Sequence, residues 1–357
     1  MDIQQYLISQ LSNPMSNFSP KVKRVGKGTE EELKLAVALA KEKRFDEALW
    51  GFKTILQSEP TSKAAHLGAG NMLFKQERYD EALIHFQEVM RLDPLMPKAP
   101  LVAGKIYLKQ GNLEKALEVF QDAINLAPTS PQAYIGIGQV LVKQEKYDEA
   151  IEQLHKAVRL DPQLITVRLL VAQLHQKQKN LAKAISELKS ALNIDPTKWF
   201  IYQAMGRIYL QQKEFSSARE AFQEALKFNP QVPYPAQLGL VEALIGENQL
   251  DEAIEILRPL PRLKSLEPNK HKLWGDIYQR QGLLKEATQE YRAAAMLGAE
   301  QGDTLGELAE LDVLFEQNND RWQEVLEPFR AAATQRVSEV QSSRRANDRR
   351  ERRSRAR

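Results

Sequence analysis

Along most of the chain, apolar residues recur at three- and four-residue spacing, interrupted by short polar or proline-containing stretches. Leu101, Ala103, Ile106 and Tyr107 form one such set, and Leu117, Phe120 and Ile124 form the next. That spacing marks one buried face of an α-helix, so the pattern predicts pairs of amphipathic helices. The pairs repeat. An alanine recurs at Ala48, Ala82, Ala116, Ala150, Ala184 and Ala218, each 34 residues from the next. Prolines keep the same step at Pro60, Pro94, Pro128, Pro162, Pro196 and Pro230. A small residue recurs as Ala36, Gly70, Gly104, Gly138, Ala172 and Gly206, followed three residues later by Leu39, Leu73, Tyr107, Leu141, His175 and Tyr209. A further bulky series runs Phe52, Phe86, Phe120, Leu154, Leu188 and Phe222.

The punctuation fits two helices per copy. Acids at Asp46, Asp80, Asp148 and Asp251 open the second helix, where an anion suits the free N–H groups and the helix dipole. Asp-Pro or its equivalent closes it, because proline turns the preceding residue away from the α region. Ser130 before Pro131 reads as an N-cap with proline in the first turn. Small residues let two helices approach at their crossing, and the bulky series fills the space around it.

This arrangement resembles the tetratricopeptide repeat, a 34-residue helix–turn–helix unit with small, aromatic, alanine and proline positions in this order. The likeness implies an all-α fold, a right-handed superhelical solenoid of antiparallel helix pairs. Six regular copies run from about residue 29 to 230, and two looser ones are marked by Ala253 and Ala287. The expected organisation is an N-terminal segment at 1–28, a solenoid at 29–299, a degenerate capping pair at 300–335 and a tail at 336–357. The step from Ala218 to Ala253 is 35, which places an irregular junction and a possible hinge at 230–236. Pro259 and Pro261 should shorten the second helix of the seventh copy. The eighth copy carries Trp274, Gly275, Tyr278 and Tyr291, and Trp322, Val325 and Phe329 would cover the end of the stack.

Binding faces of such stacks come mostly from the first helix of each unit, on the concave side. Projected by the resemblance, one row reads Leu67, Leu101, Ile135 and Leu169. One turn on come Asn71, Lys105, Gln139, Gln173 and Arg207, and a further turn on Phe74, Leu108, Val142 and Leu210. Amides and cations between apolar rows suit the backbone of an extended peptide or the face of an amphipathic helix. A solvated helix face is the plain alternative. The clamp with which some relatives grip a chaperone tail wants polar groups where Leu33, Val37 and Leu67 stand, so that activity is not expected. A second ladder, Lys41, Lys75, Lys109, Lys143 and Lys177, is followed by Gln76, Gln110, Gln144 and Gln178. It reads as cations at helix carboxyl ends, with a basic stripe for an acidic ligand as the alternative.

Composition narrows the chemistry. The 357 residues include no cysteine, which removes disulfides, thiolate metal sites and cysteine nucleophiles. The five histidines, at 66, 85, 155, 175 and 271, share no single repeat position. His175 stands where other copies place Tyr107 and Tyr209 and reads as core. His85, one turn from Glu81, suggests acid–base or metal chemistry until the repeat shows that it does not recur. No HExxH, GxSxG or phosphate-loop motif occurs. The expectation is therefore a non-catalytic adaptor or assembly factor, with no cofactor and no metal. The alternatives are a nucleic-acid- or ribosome-associated adaptor, or the recruiting subunit of an enzyme complex.

Charge adds one feature. Residues 336–357 hold nine arginines, at 336, 344, 345, 349, 350, 352, 353, 355 and 357, against Glu339, Asp348 and Glu351. The tail thus carries +6 of a total of +3, leaving −3 on the rest. Arg344, Arg345, Arg349, Arg350, Arg352, Arg353, Arg355 and Arg357 could meet RNA, an acidic protein or an anionic membrane surface, without aromatic stacking on bases. The start has neither a signal-peptide pattern nor a spanning apolar run, and a cytoplasmic protein is expected. Ile3, Tyr6, Leu7 and Leu11 suggest a short amphipathic helix there.

Overall fold

Each proline-and-acid boundary of the sequence becomes a helix end in the computed structural model, which describes residues 29–230, 234–263 and 266–301. Among these residues sixteen α-helices occur and no strand. The first five pairs are α1 (Thr29–Lys41) with α2 (Phe45–Ser58), α3 (Lys63–Lys75) with α4 (Tyr79–Leu92), α5 (Lys98–Lys109) with α6 (Leu113–Leu126), α7 (Pro131–Lys143) with α8 (Tyr147–Leu160), and α9 (Ile165–Lys177) with α10 (Leu181–Ile194). The last three are α11 (Trp199–Gln211) with α12 (Phe215–Phe228), α13 (Tyr234–Gly246) with α14 (Leu250–Leu257), and α15 (Glu267–Arg280) with α16 (Leu284–Gln301). The chain divides into two compact units, one ending at Asp195 and one starting at Pro196. In the 230–236 junction, residues 231–233 lie outside the described residues, as do the segment 1–28, residues 302–335 of the cap expected at 300–335, and the arginine tail.

The turn inside each hairpin has a common device. Lys43, Glu77, Gly111, Glu145, Lys179, Lys213, Asn248 and Gly282 all have φ between 58° and 78°. The residue after each donates its N–H back to the first helix: Arg44 to Leu39 O, Arg78 to Leu73 O, Lys146 to Leu141 O and Asn180 to His175 O. This left-handed ending satisfies carbonyls that the helix leaves open. Only two of the eight positions are glycine, so the other six hold a left-handed conformation that disfavours a side chain.

Second helices begin with acids in the first turn, as expected, at Asp46, Asp80, Asp148 and Asp251. The acids do more than face the dipole. Gln76 Nε2 donates to Asp46 Oδ1 at 2.8 Å, Gln110 to Asp80 at 2.8 Å and Gln178 to Asp148 at 2.9 Å. Each bond spans 30 residues and clasps one hairpin to the next, which explains the glutamine ladder. Position 114 holds Glu instead of Asp, and there the Oε1 of Gln144 is buried without a partner. Ser130 stands at the N-cap position before Pro131, but its hydroxyl bonds Gln132 rather than a backbone N–H.

Packing follows the repeat positions. Ala48, Ala82, Ala116, Ala150, Ala184 and Ala218 are fully buried, as are Phe86, Phe120, Leu154 and Phe222. Phe120 is wedged between neighbouring hairpins: a Cβ on Gly104 of α5 would lie 2.6 Å from its ring, and one on Gly136 of α7 2.5 Å. In the second unit Phe222 stands in the same way between Gly206 and Gly239. Helix α14 has 8 residues against 14 in the earlier second helices, as its two prolines require. The buried ammonium of Lys270 donates to Leu260 O at 2.9 Å and Pro261 O at 3.3 Å, satisfying carbonyls beyond that shortened end.

Candidate functional site

Within each unit, hairpins that touch other than through consecutive helices do so first helix on first helix: α1 on α3 and α5 on α7, then α11 on α13 and α13 on α15. First helices therefore lie against one another at these four places. In the first unit Asn71, Lys105, Gln139 and Gln173 stand at one repeat position of the first helices α3, α5, α7 and α9. Asn71 is half-buried and the other three are exposed. Arg207, on α11 of the second unit, is also exposed. Among the described residues none of these five side chains has a hydrogen-bond or ion-pair partner.

The flanking rows differ in character. Leu67, Leu101, Ile135 and Leu169 are half-buried, with Leu67, Leu101 and Ile135 packed on core clusters. Phe74 is half-buried against Tyr79, with ring centroids 5.9 Å apart, and Val142 is half-buried over the core. Leu108 is 9% exposed and belongs to the core itself, so it offers little to a ligand. The result is a strip of unpaired polar groups between partly open apolar ones. The lysine ladder lies one turn further along the same helices, exposed in the last turns of α1, α3, α5, α7 and α9. Lys177 also covers the Tyr147 ring at 5.5 Å.

The histidines form two kinds of environment. His85, isolated in sequence terms, meets His66, a pairing that the repeat comparison did not reveal. Their Nδ1 atoms are 2.9 Å apart, and His66 Nε2 is 2.9 Å from Pro60 O. A carbonyl only accepts, so His66 Nε2 carries the proton and His66 Nδ1 accepts from His85 Nδ1–H. Burial lowers both rings, which favours this neutral arrangement, and burial, His66 and Lys53 together push His85 down to about 3. The same place in two other hairpins holds Arg168 with Glu187 at 3.4 Å and His271 with Glu290 at 2.6 Å. These pairs lock helix to helix, with different chemistry in each hairpin.

The second environment is a cleft of about 360 Å³ between α8, α9 and α10, lined by His155, His175, Lys183 and Glu187 among others. His155 Nε2 donates to Glu187 Oε1 at 3.1 Å, and this bond, more than any other interaction, holds the Glu187 carboxyl below its ordinary range. His175 is 7% exposed, in keeping with a core position. Among the described residues no group of three or more His, Asp or Glu side chains is placed to hold a metal ion.

Comparison with known proteins agrees with the geometry. The tetratricopeptide repeat family matches residues 33–97, 141–205, 175–238 and 209–269, and a further TPR repeat match covers 104–144. The chain belongs to the tetratricopeptide repeat proteins. It is similar to the C-terminal part of a TPR repeat-containing protein from Cytophaga hutchinsonii, at 18% identity over 72% of this chain and 98% of that one, with a TM-score of 0.53. It is also similar to pilF of Pseudomonas aeruginosa (16% identity, 62% and 97% covered, TM-score 0.49). MamA of Desulfovibrio magneticus RS-1 gives 21% identity, 48% and 98% covered, and a TM-score of 0.45. No curated protein matches the chain. Repeats of this class are typically non-catalytic interaction modules, and the chain is a protein-interaction scaffold in that general sense. Among the described residues no helix is long and apolar enough to cross a membrane.

Proposed function

We propose that the protein is a non-catalytic adaptor or assembly factor that holds a partner peptide or amphipathic helix on the first-helix face of its first unit. The observation that supports this is the strip Asn71, Lys105, Gln139 and Gln173, whose side chains find no partner among the described residues while half-buried Leu67, Leu101, Ile135 and Phe74 flank them. Amides there can bond a peptide backbone, and the apolar rows can take alternate side chains. Unpaired polar groups between apolar ones cost nothing in water and become useful only when something covers them. Changing Asn71, Lys105 and Gln139 together should reduce retention of the partner in a pull-down from native lysate. Retention that survives this change and needs only residues 336–357 would disprove the reading.

A second reading rests on the nine arginines of residues 336–357. They suit electrostatic contact with a polyanion such as RNA. Such binding should fall steeply with salt and vanish on deleting the tail.

A further inference from the structure

We propose that the segment held on the first helices of the first unit is an acidic, extended peptide whose carboxylates meet the lysines of α3, α5, α7 and α9. The inference rests on the adaptor reading and adds the chemistry of what is held.

The hairpins from α3 to α10 divide their charges by helix. Helices α3, α5, α7 and α9 carry no Asp or Glu, and their charged residues are lysines and the single Arg168. The helical acids of the same hairpins stand on α4, α6, α8 and α10, from Asp80 and Glu81 to Glu187. Helix α1, with Glu30, Glu31 and Glu32 in its first turn, lies outside the set.

Helix stability does not account for this division. An acid in the first turn is favourable in any helix, and α4, α6 and α8 each use one there. The first turns of α3, α5, α7 and α9 forgo it. Lysines in the last turn suit the helix dipole, but Lys105 stands a turn earlier, where the dipole gives it little. Common to the four helices is the exclusion of negative charge.

The cations are also available. Lys63 is paired with Asp93 and Arg168 with Glu187, whereas Lys75, Lys105, Lys109 and Lys143 are exposed, with no ion-pair partner among the described residues. Lys75 follows Asn71 by four residues, Lys109 follows Lys105 and Lys143 follows Gln139, so ladder and polar strip share one side of each helix. Half-buried Leu67, Leu101 and Ile135 stand four residues before the strip, on that same side. Apolar side chains beside the cations favour a peptide over a nucleic-acid strand. A strand would want open rings to stack on, and Phe74, Tyr107 and Tyr134 are all half-buried. Packed helices such as α5 and α7 lie about 8–10 Å apart, and an extended chain rises about 3.3 Å per residue, so carboxylates three residues apart match lysines of touching hairpins.

The test uses the full-length protein and two fluorescent peptides of about twelve residues, one repeating Glu-Leu-Gln and one with Gln in place of each Glu. The acidic peptide should bind about tenfold more tightly than the neutral one, and salt raised from about 50 to about 300 mM should weaken it severalfold. Lys75→Gln, Lys109→Gln and Lys143→Gln together should weaken it about tenfold, and Arg at the same three positions should restore binding, which separates lost charge from a damaged fold. Lys115→Gln, Lys156→Gln and Lys189→Gln remove the same charge from the second helices α6, α8 and α10 and should change binding less than about twofold. Equal loss in both triple variants, or loss in neither, puts the binding elsewhere and overturns the proposal. Polyuridine binding that falls with the ladder lysines marks a nucleic-acid face and overturns it too. Equal binding of the two peptides, lost on changing Asn71 and Gln139 to Ala, sinks the acidic partner while the adaptor reading stands. If neither peptide binds, the proposal fails, and the adaptor reading is still judged by the pull-down with Asn71, Lys105 and Gln139 changed.

Discussion

Acid should destabilise the α3–α4 hairpin through its buried histidine pair. His66 Nε2 must donate to Pro60 O, so its Nδ1 must accept from His85. Protonating His85 adds a charge to a ring 6% exposed, and protonating His66 sets two N–H groups against each other. In the unfolded chain His85 titrates near its ordinary 6.5, and in the fold near 3. Between those values the unfolded state binds more protons, so stability falls as pH falls. The penalty is absent above about pH 7, grows by about 1.4 kcal/mol per pH unit below 6.5, and levels off below about 3. At pH 5 it amounts to about 2 kcal/mol. The control transplants the pair found at the same place in the fourth hairpin, Tyr134 and Gln153, as His66→Tyr with His85→Gln. Urea unfolding of both proteins at pH 7.5 and 5 cancels every other titrating group. Wild type should lose at least about 2 kcal/mol more than the variant, because His66 is also held below its ordinary value. Equal losses, or an NMR midpoint for His85 near 6.5, would refute the reasoning.

Three further outcomes follow from the packing. Gly136→Ala places a Cβ 2.5 Å from the Phe120 ring and should lower stability by about 1–3 kcal/mol, read as a lower melting temperature. Glu77→Gly with Glu145→Gly relieves a left-handed residue, with φ of 61°, in each of two turns; the pair should raise stability by about 1–2 kcal/mol in urea unfolding. Gln110→Ala breaks the clasp to Asp80 and should cost at most about 1 kcal/mol, since both groups are exposed and water replaces the bond. The same change at Gln144, which has no aspartate to meet, should cost less.

The repeat made the helices legible because one unit, copied eight times, shows its buried positions in register. Ala82, Ala116 and Phe120 lie in the core as their recurrence implied, and Pro259 and Pro261 shorten α14. The left-handed turn stayed hidden because six of its eight positions are not glycine, the residue that usually announces it. The glutamine clasp was visible as a ladder but not as a bond, since its partner lies 30 residues away. His66 and His85 are 19 apart, a spacing set by the hairpin and not by either helix, so helical periodicity alone did not join them. For the first-helix face, the sequence supplied the rows. The structure added that Leu108 sits in the core and that the polar row is unpaired.

The adaptor reading is tested most directly by placing a photocrosslinking residue at Lys105 or Gln139 on the first-helix face and, for comparison, at the exposed Gln121 of α6. Bound partner should be captured from positions 105 and 139 and not from 121, with capture lost when Asn71 and Gln173 are also changed. Capture from 121 alone, or capture at 105 and 139 that disappears on deleting residues 336–357, would contradict it.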